Sequence, residues 1–107
     1  MSFDGKILAE GQVAASKTTV YTVPANTVVY ISQILFFNTA ATTETVTLYL
    51  NLSGTSRQVK RFVLDQNESA EVMDSGQRLI LEAADLIEAS STNATSVDLV
   101  ITGVEET

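Results

Sequence analysis

Apolar and polar residues alternate with a period of two along much of the chain, the spacing of β-strands whose successive side chains point to opposite faces. Between residues 44 and 52, Glu44, Val46, Leu48, Leu50 and Leu52 share one side, while Thr45, Thr47, Tyr49 and Asn51 share the other. Near the start, Thr19, Tyr21 and Val23 alternate with Thr18, Val20 and Thr22; near the end, Val97, Leu99 and Ile101 alternate with Asp98, Val100 and Thr102. Further candidate strands are 6–10, 28–38, 57–64, 69–73, 78–81 and 85–90, which makes about nine strands.

Small polar segments punctuate these runs: Pro24-Ala25-Asn26, residues 38–43, Ser53-Gly54-Thr55-Ser56, Asp65-Gln66-Asn67-Glu68, Asp74-Ser75-Gly76 and Ser91-Thr92-Asn93-Ala94. Strands punctuated at intervals of roughly 8–12 residues predict an all-β fold, here a two-sheet antiparallel β-sandwich with a jelly-roll-like order. Nothing divides the chain in composition, so residues 1–107 are read as one domain, with 1–5 as a flexible N-terminal arm. Residues 79–89 also fit a helical period, with apolar positions at 79, 80, 83, 86 and 87. The competing prediction is a hairpin with its turn at Glu82-Ala83-Ala84-Asp85. That turn echoes Val23-Pro24-Ala25-Asn26: each is a strand end, a small-residue turn and then an apolar strand.

The run 28–38 is apolar on both sides, with Val29, Ile31, Leu35 and Phe37 on one and Val28, Tyr30, Ile34 and Phe36 on the other. A strand of an antiparallel sandwich normally turns one face to water. A loop could cover the second face; the functional alternative is a contact with another subunit, which makes Tyr30 and Phe36 candidate interface residues.

Composition supports the β reading. The 107 residues include 14 Thr, 12 Val and 10 Ser, and β-branched side chains pack well on a pleated surface. No cysteine and no histidine are present, which removes thiolate and imidazole chemistry and the usual zinc ligand sets. No glycine-rich phosphate loop appears. The expectation is a protein without catalytic residues, metal or cofactor. Six Lys and Arg against thirteen Asp and Glu give a net charge of −7, which opposes binding to nucleic acid or to an anionic membrane. With no signal-peptide pattern and no long apolar run, the chain is expected to stay in the cytoplasm where it is made.

The few positive charges cluster. Arg57, Lys60 and Arg61 lie within five positions, and Arg78 follows. The simple reading is a solvated strand face; the functional one is a basic surface that docks on an acidic partner or on a neighbouring copy, with Glu82, Asp85 and Glu88 as its self-complement. Asp65, Asn67, Ser69 and Glu71 carry part of a calcium-loop spacing, but Ala70 stands where the loop needs glycine, so a solvated turn is the expected arrangement.

The segments Gly5-Lys6-Ile7-Leu8-Ala9-Glu10-Gly11-Gln12, Val20-Tyr21-Thr22-Val23-Pro24-Ala25-Asn26-Thr27, Ile34-Leu35-Phe36-Phe37-Asn38-Thr39, Val46-Thr47-Leu48-Tyr49, Leu81-Glu82-Ala83-Ala84-Asp85-Leu86-Ile87 and Val100-Ile101-Thr102-Gly103 together resemble small all-β virion proteins of tailed bacteriophages, of the capsid decoration, cement or head-fibre type. Ala84 departs from the pattern, which has glycine before the acidic residue. The resemblance implies a homotrimer on the outside of the capsid, bound to the major capsid protein and made in the host cytoplasm. A tail, baseplate or fibre-attachment component would share the composition. A carbohydrate-binding sandwich would instead need an exposed aromatic platform, drawn from Tyr21, Tyr30, Tyr49 and the phenylalanines. Tyr30, Phe36, Arg57, Lys60 and Arg61 are thus the candidate subunit or capsid contacts.

Overall fold

The computed structural model describes residues 3–72 and 79–107. They form nine strands: β1 (Phe3–Gln12), β2 (Thr18–Thr22), β3 (Val28–Asn38), β4 (Glu44–Leu52), β5 (Thr55–Leu64), β6 (Ser69–Glu71), β7 (Leu79–Leu81), β8 (Leu86–Ser91) and β9 (Val97–Glu106). Two antiparallel sheets result. The first has the order β1-β9-β3-β6, with β7 also pairing to β3; the second has the order β2-β8-β4-β5. Consecutive strands mostly alternate between sheets, so the inner faces meet over one core. Val29, Ile31, Ile34, Phe36, Leu99 and Ile101 enter it from the first sheet, and Val46, Leu48, Ile87 and Leu64 from the second. The Phe36 and Phe62 rings meet across it at 6.1 Å and 47°.

Several expectations change. The arm expected over residues 1–5 is strand from Phe3 onward, paired to the end of β9 through Phe3↔Glu106; residues 1 and 2 lie outside the described residues. Residues 79–89 are not helical: β7 and β8 flank a turn, as in the hairpin alternative. They do not pair with each other, however, because β7 joins β3 in one sheet and β8 joins β2 and β4 in the other. The segment is a crossover. Met73, Arg78 and the Asp74-Ser75-Gly76 turn lie outside the described residues.

The two echoed turns are neighbours in space. Val23 N donates to the Asp85 carbonyl and Ala84 N to the Val23 carbonyl, at 3.0 and 3.1 Å. Both use the left-handed region, Asn26 at φ 58° and Ala84 at φ 72°.

Strict alternation fails at four places, each a one-residue bulge. Pairing slips at Leu8 in β1, Val20 in β2, Ser32 in β3 and Val59 in β5. An extra residue flips the phase of everything beyond it. This resolves the double-sided appearance of 28–38: Val29 and Ile31 face the core before the bulge, and Ile34, Phe36 and Asn38 face it afterwards.

Two buried polar groups anchor one end of the sandwich, on either side of the 39–43 loop. Glu44, wholly buried on the inner side of β4, accepts hydrogen bonds from Asn93 N and Nδ2 at 2.8 Å each and from Thr42 Oγ1 at 3.0 Å. Asn38 Nδ2 donates to the Thr42 and Leu64 carbonyls, and its Oδ1 accepts from Ala40 N, each at 2.9 Å. Each side chain thus replaces the water it lost, the condition for burying polar groups without a large penalty.

Candidate assembly interface

The two outer faces of the sandwich differ. On the second sheet the outward positions of β4 are Thr45, Thr47, Tyr49 and Asn51, flanked by Ser90 and Glu88 of β8. Lys17 lies 5.2 Å from the Tyr49 ring centroid and donates to Ser56 Oγ, which donates in turn to Glu88 Oε1 at 2.7 Å. Apart from Val63 of β5, which pairs with Thr45, this is the polar, hydrogen-bonded surface expected of a sheet that faces water.

The first sheet is built differently. Its outward positions fall in rows across strands: Val104–Tyr30–Ile80, then Ile7–Thr102–Gln33, then Glu10–Val100–Leu35–Glu71, then Gln12–Asp98–Phe37–Ser69. Ile80 is 58% exposed, Ile7 57% and Phe37 37%. Tyr30, Leu35, Val100 and Val104 between them are half-buried by their neighbours alone. Apart from Thr102 and Gln33 in the second row the centre of the face is apolar, and exposed apolar patches mark contact sites. Four carboxylates, Glu10, Glu71, Asp98 and Glu106, share the face, and among the described residues no Lys or Arg does.

The five residues singled out from the sequence separate into three places. Tyr30 is on this apolar face. Phe36 is fully buried in the core against Phe62; the bulge at Ser32 turns it inward, which corrects its assignment as an interface residue. Arg57, Lys60 and Arg61 are all exposed on β5, the edge strand of the second sheet. Arg61 pairs with Thr47 on the outer face, whereas Lys60 and Arg57 pair with Leu48 and Leu50 on the inner side, where the edge opens to solvent. Among the described residues none of these three cations forms an ion pair. Val59 (43%) and Val63 (63%) are exposed beside them.

Sequence reasoning missed Ile7, Val100, Val104 and Ile80. Val100 and Val104 carried a signal: they place apolar side chains on the polar side of the C-terminal alternation.

Two of the three acids proposed as the complement of β5 are already engaged within the chain. Asp85 accepts from Ser53 N and Glu82 N with its two carboxylate oxygens, and Glu88 is bonded to Ser56 and nearly buried. The calcium-like set disperses too: Thr43 Oγ1 donates to Asp65, the Glu68 carboxylate accepts from Asp65 N, and Gln33 Nε2 donates to Glu71. Asn67, at φ 63°, completes a turn.

At the inner margin of β1, β2 and β9, the Tyr21 hydroxyl donates to Glu105 at 2.7 Å and Lys6 Nζ pairs with it at 2.6 Å. Burial and this bond push the phenol well above its ordinary range. Lys6 and Tyr21 together hold the Glu105 carboxyl below the usual carboxylate value, against the pull of burial. For Glu44 burial is the largest influence and acts upward, yet the Asn93 and Thr42 bonds outweigh it and leave the pKa lowered.

The tyrosines do not share a platform: Tyr21 is engaged inside, and Tyr30 and Tyr49 lie on opposite outer faces. A cleft of about 430 Å³ opens at one end, lined by Leu52, Ser53, Gly54, Ile80 and the 82–85 turn. The carboxylate best placed in it, Asp85, is committed to backbone amides.

No protein family profile matches the sequence, and no curated protein does. The fold is similar to that of a solved chain described under "Bacillus endospore appendages form a novel family of disulfide-linked pili", with TM-score 0.61 over 99% of this chain and 87% of that one, at 19% identity. At that identity the likeness establishes a shared fold. The present chain has no cysteine, so a disulfide link of the kind named there cannot form through it.

Proposed function

We propose that this protein is a non-enzymatic structural subunit of a tailed-bacteriophage virion, a homotrimeric decoration protein that binds the outer surface of the head and reinforces contacts of the major capsid protein. The observation that carries the reading is the apolar outer face of the first sheet around Tyr30, Leu35, Val104 and Ile80. An exposed surface of that kind costs solubility unless something covers it, and the polar outer face of the second sheet sets the contrast within the same molecule. The sequence resemblance supplies the virion setting, and the alternation of strands between sheets agrees with a jelly-roll-like order.

A second reading has its own support. The likeness to a pilus-forming chain extends over 99% of this one, which favours a repeating subunit of a tail or fibre. Peptide mass spectrometry of purified particles, followed by cryo-electron microscopy, separates the two. Density on the outer head surface in many copies is the expected result, and density in the tail selects the second reading. Particles lacking the protein would overturn both.

A further inference from the structure

The charge on the two exposed surfaces has opposite sign. The outer face of the first sheet sets Glu10, Glu71, Asp98 and Glu106 around Tyr30, Leu35, Val100 and Val104, with Thr102 and Gln33 between them. The β5 strip sets Arg57, Lys60 and Arg61 around exposed Val59 and Val63. Without those three cations the chain's remaining charge is 3 − 13 = −10, so β5 is a basic island on a strongly acidic body.

We infer that the occupant of the apolar, acidic face is the β5 strip of a second copy of this chain. Stacking the first-sheet face on its own copy would bring eight carboxylates together, four from each copy. Stacking β5 on β5 would oppose cation to cation. The crossed pairing alone joins apolar to apolar and acid to base, and like-charge juxtaposition is the usual device by which wrong pairings are excluded. The first-sheet face and the β5 edge lie on different sheets, so one copy cannot satisfy both by itself. The contact is heterologous: each subunit offers one surface and receives the other, and it closes into a ring or continues as a filament according to the rotation between copies. This rests on the assembly reading above and goes further by naming the two surfaces that meet. It also replaces Glu82, Asp85 and Glu88 as the complement of the basic strand.

The test uses two variants, Lys60→Glu with Arg61→Glu, and Glu71→Lys with Asp98→Lys; Lys60, Arg61 and Glu71 are exposed, and Asp98 is half-buried on the outer face of β9. Light scattering after size exclusion is run on the wild type, on each variant and on their equimolar mixture, with circular dichroism to confirm folding. The wild type is expected to assemble and each variant alone to be monomeric. The mixture should reassemble, because each variant then supplies the sign the other lacks. Raising salt to about 1 M, where the screening length falls to about 3 Å, should weaken wild-type assembly at least tenfold. A folded variant that assembles like the wild type, a mixture of folded variants that stays monomeric, or assembly strengthened by salt would each overturn the crossed contact while leaving the virion role intact. A wild-type monomer would overturn the contact and the trimer together. Assembly with no protein on particles would overturn the virion role alone.

Discussion

Ala84 has a φ of 72° in the crossover turn, a region where a Cβ costs roughly 1–2 kcal/mol. The backbone there is held in place, with Ala84 N donating to the Val23 carbonyl and the Asp85 carboxylate accepting from the Glu82 amide. Ala84→Gly should therefore stabilise the protein by about 0.5–1 kcal/mol after the extra entropy lost by glycine is deducted, measurable by urea denaturation. Glu44 is the opposite case, a charged residue in an apolar register that is satisfied on arrival. Removing it leaves two Asn93 donors and the Thr42 hydroxyl without their partner, so Glu44→Ala should cost about 3 kcal/mol. Exposed Glu71→Ala should cost less than about 0.5 kcal/mol. Equal losses for the two in the same denaturation series would contradict the role given to Glu44.

At the level of elements, the sequence announced strands well and faces badly. The boundaries of β3 and β4 were legible because apolar runs ended in small polar loops, and β4 kept one phase from Glu44 to Leu50. What could not be read was phase across a bulge: Ser32 looks like any polar residue in an alternation, yet it turns Phe36 inward and sends Leu35 and Phe37 outward. The basic cluster was visible as a strand, but the bulge at Val59 and the edge position decide which face each cation takes, and only pairing reveals that. Two of the bulges flank the same stretch of β9, Leu8 opposite Ile101 and Thr102 and Ser32 opposite Thr102 and Gly103. A Cβ on Gly103 would lie 2.5 Å from the Tyr30 carbonyl oxygen and 3.2 Å from Ile31 Cα. Since backbone cannot yield as a side chain does, Gly103→Ala should destabilise by about 2–3 kcal/mol, seen as a fall of roughly 10 °C or more in Tm. The same substitution at Gly5, where the nearest atom is 4.0 Å away, should be nearly silent.

For the molecule as a whole, the linked groups define a pH window. Glu44 and Glu105 are both depressed from an ordinary value of 4.5, so the stability they supply is present above that pH and is lost as pH falls through the lower folded values. Tyr21 is raised from 10.0, so its contribution is complete below pH 10 and is lost as pH rises beyond it. Chemical denaturation across pH should give a plateau between these limits with losses on both sides, and Tyr21→Phe should flatten the alkaline side. The β5 edge bears on a different hazard. Ten residues long and last in its sheet, it is a template on which any extended chain could add as a new strand. Arg57, Lys60, Arg61 and the bulge at Val59 make it a poor template, since each added strand would stack cation on cation. The cations that select a partner thus also protect the concentrated protein from amyloid-like growth: Lys60→Thr with Arg61→Thr should bind thioflavin T and precipitate where the wild type stays clear.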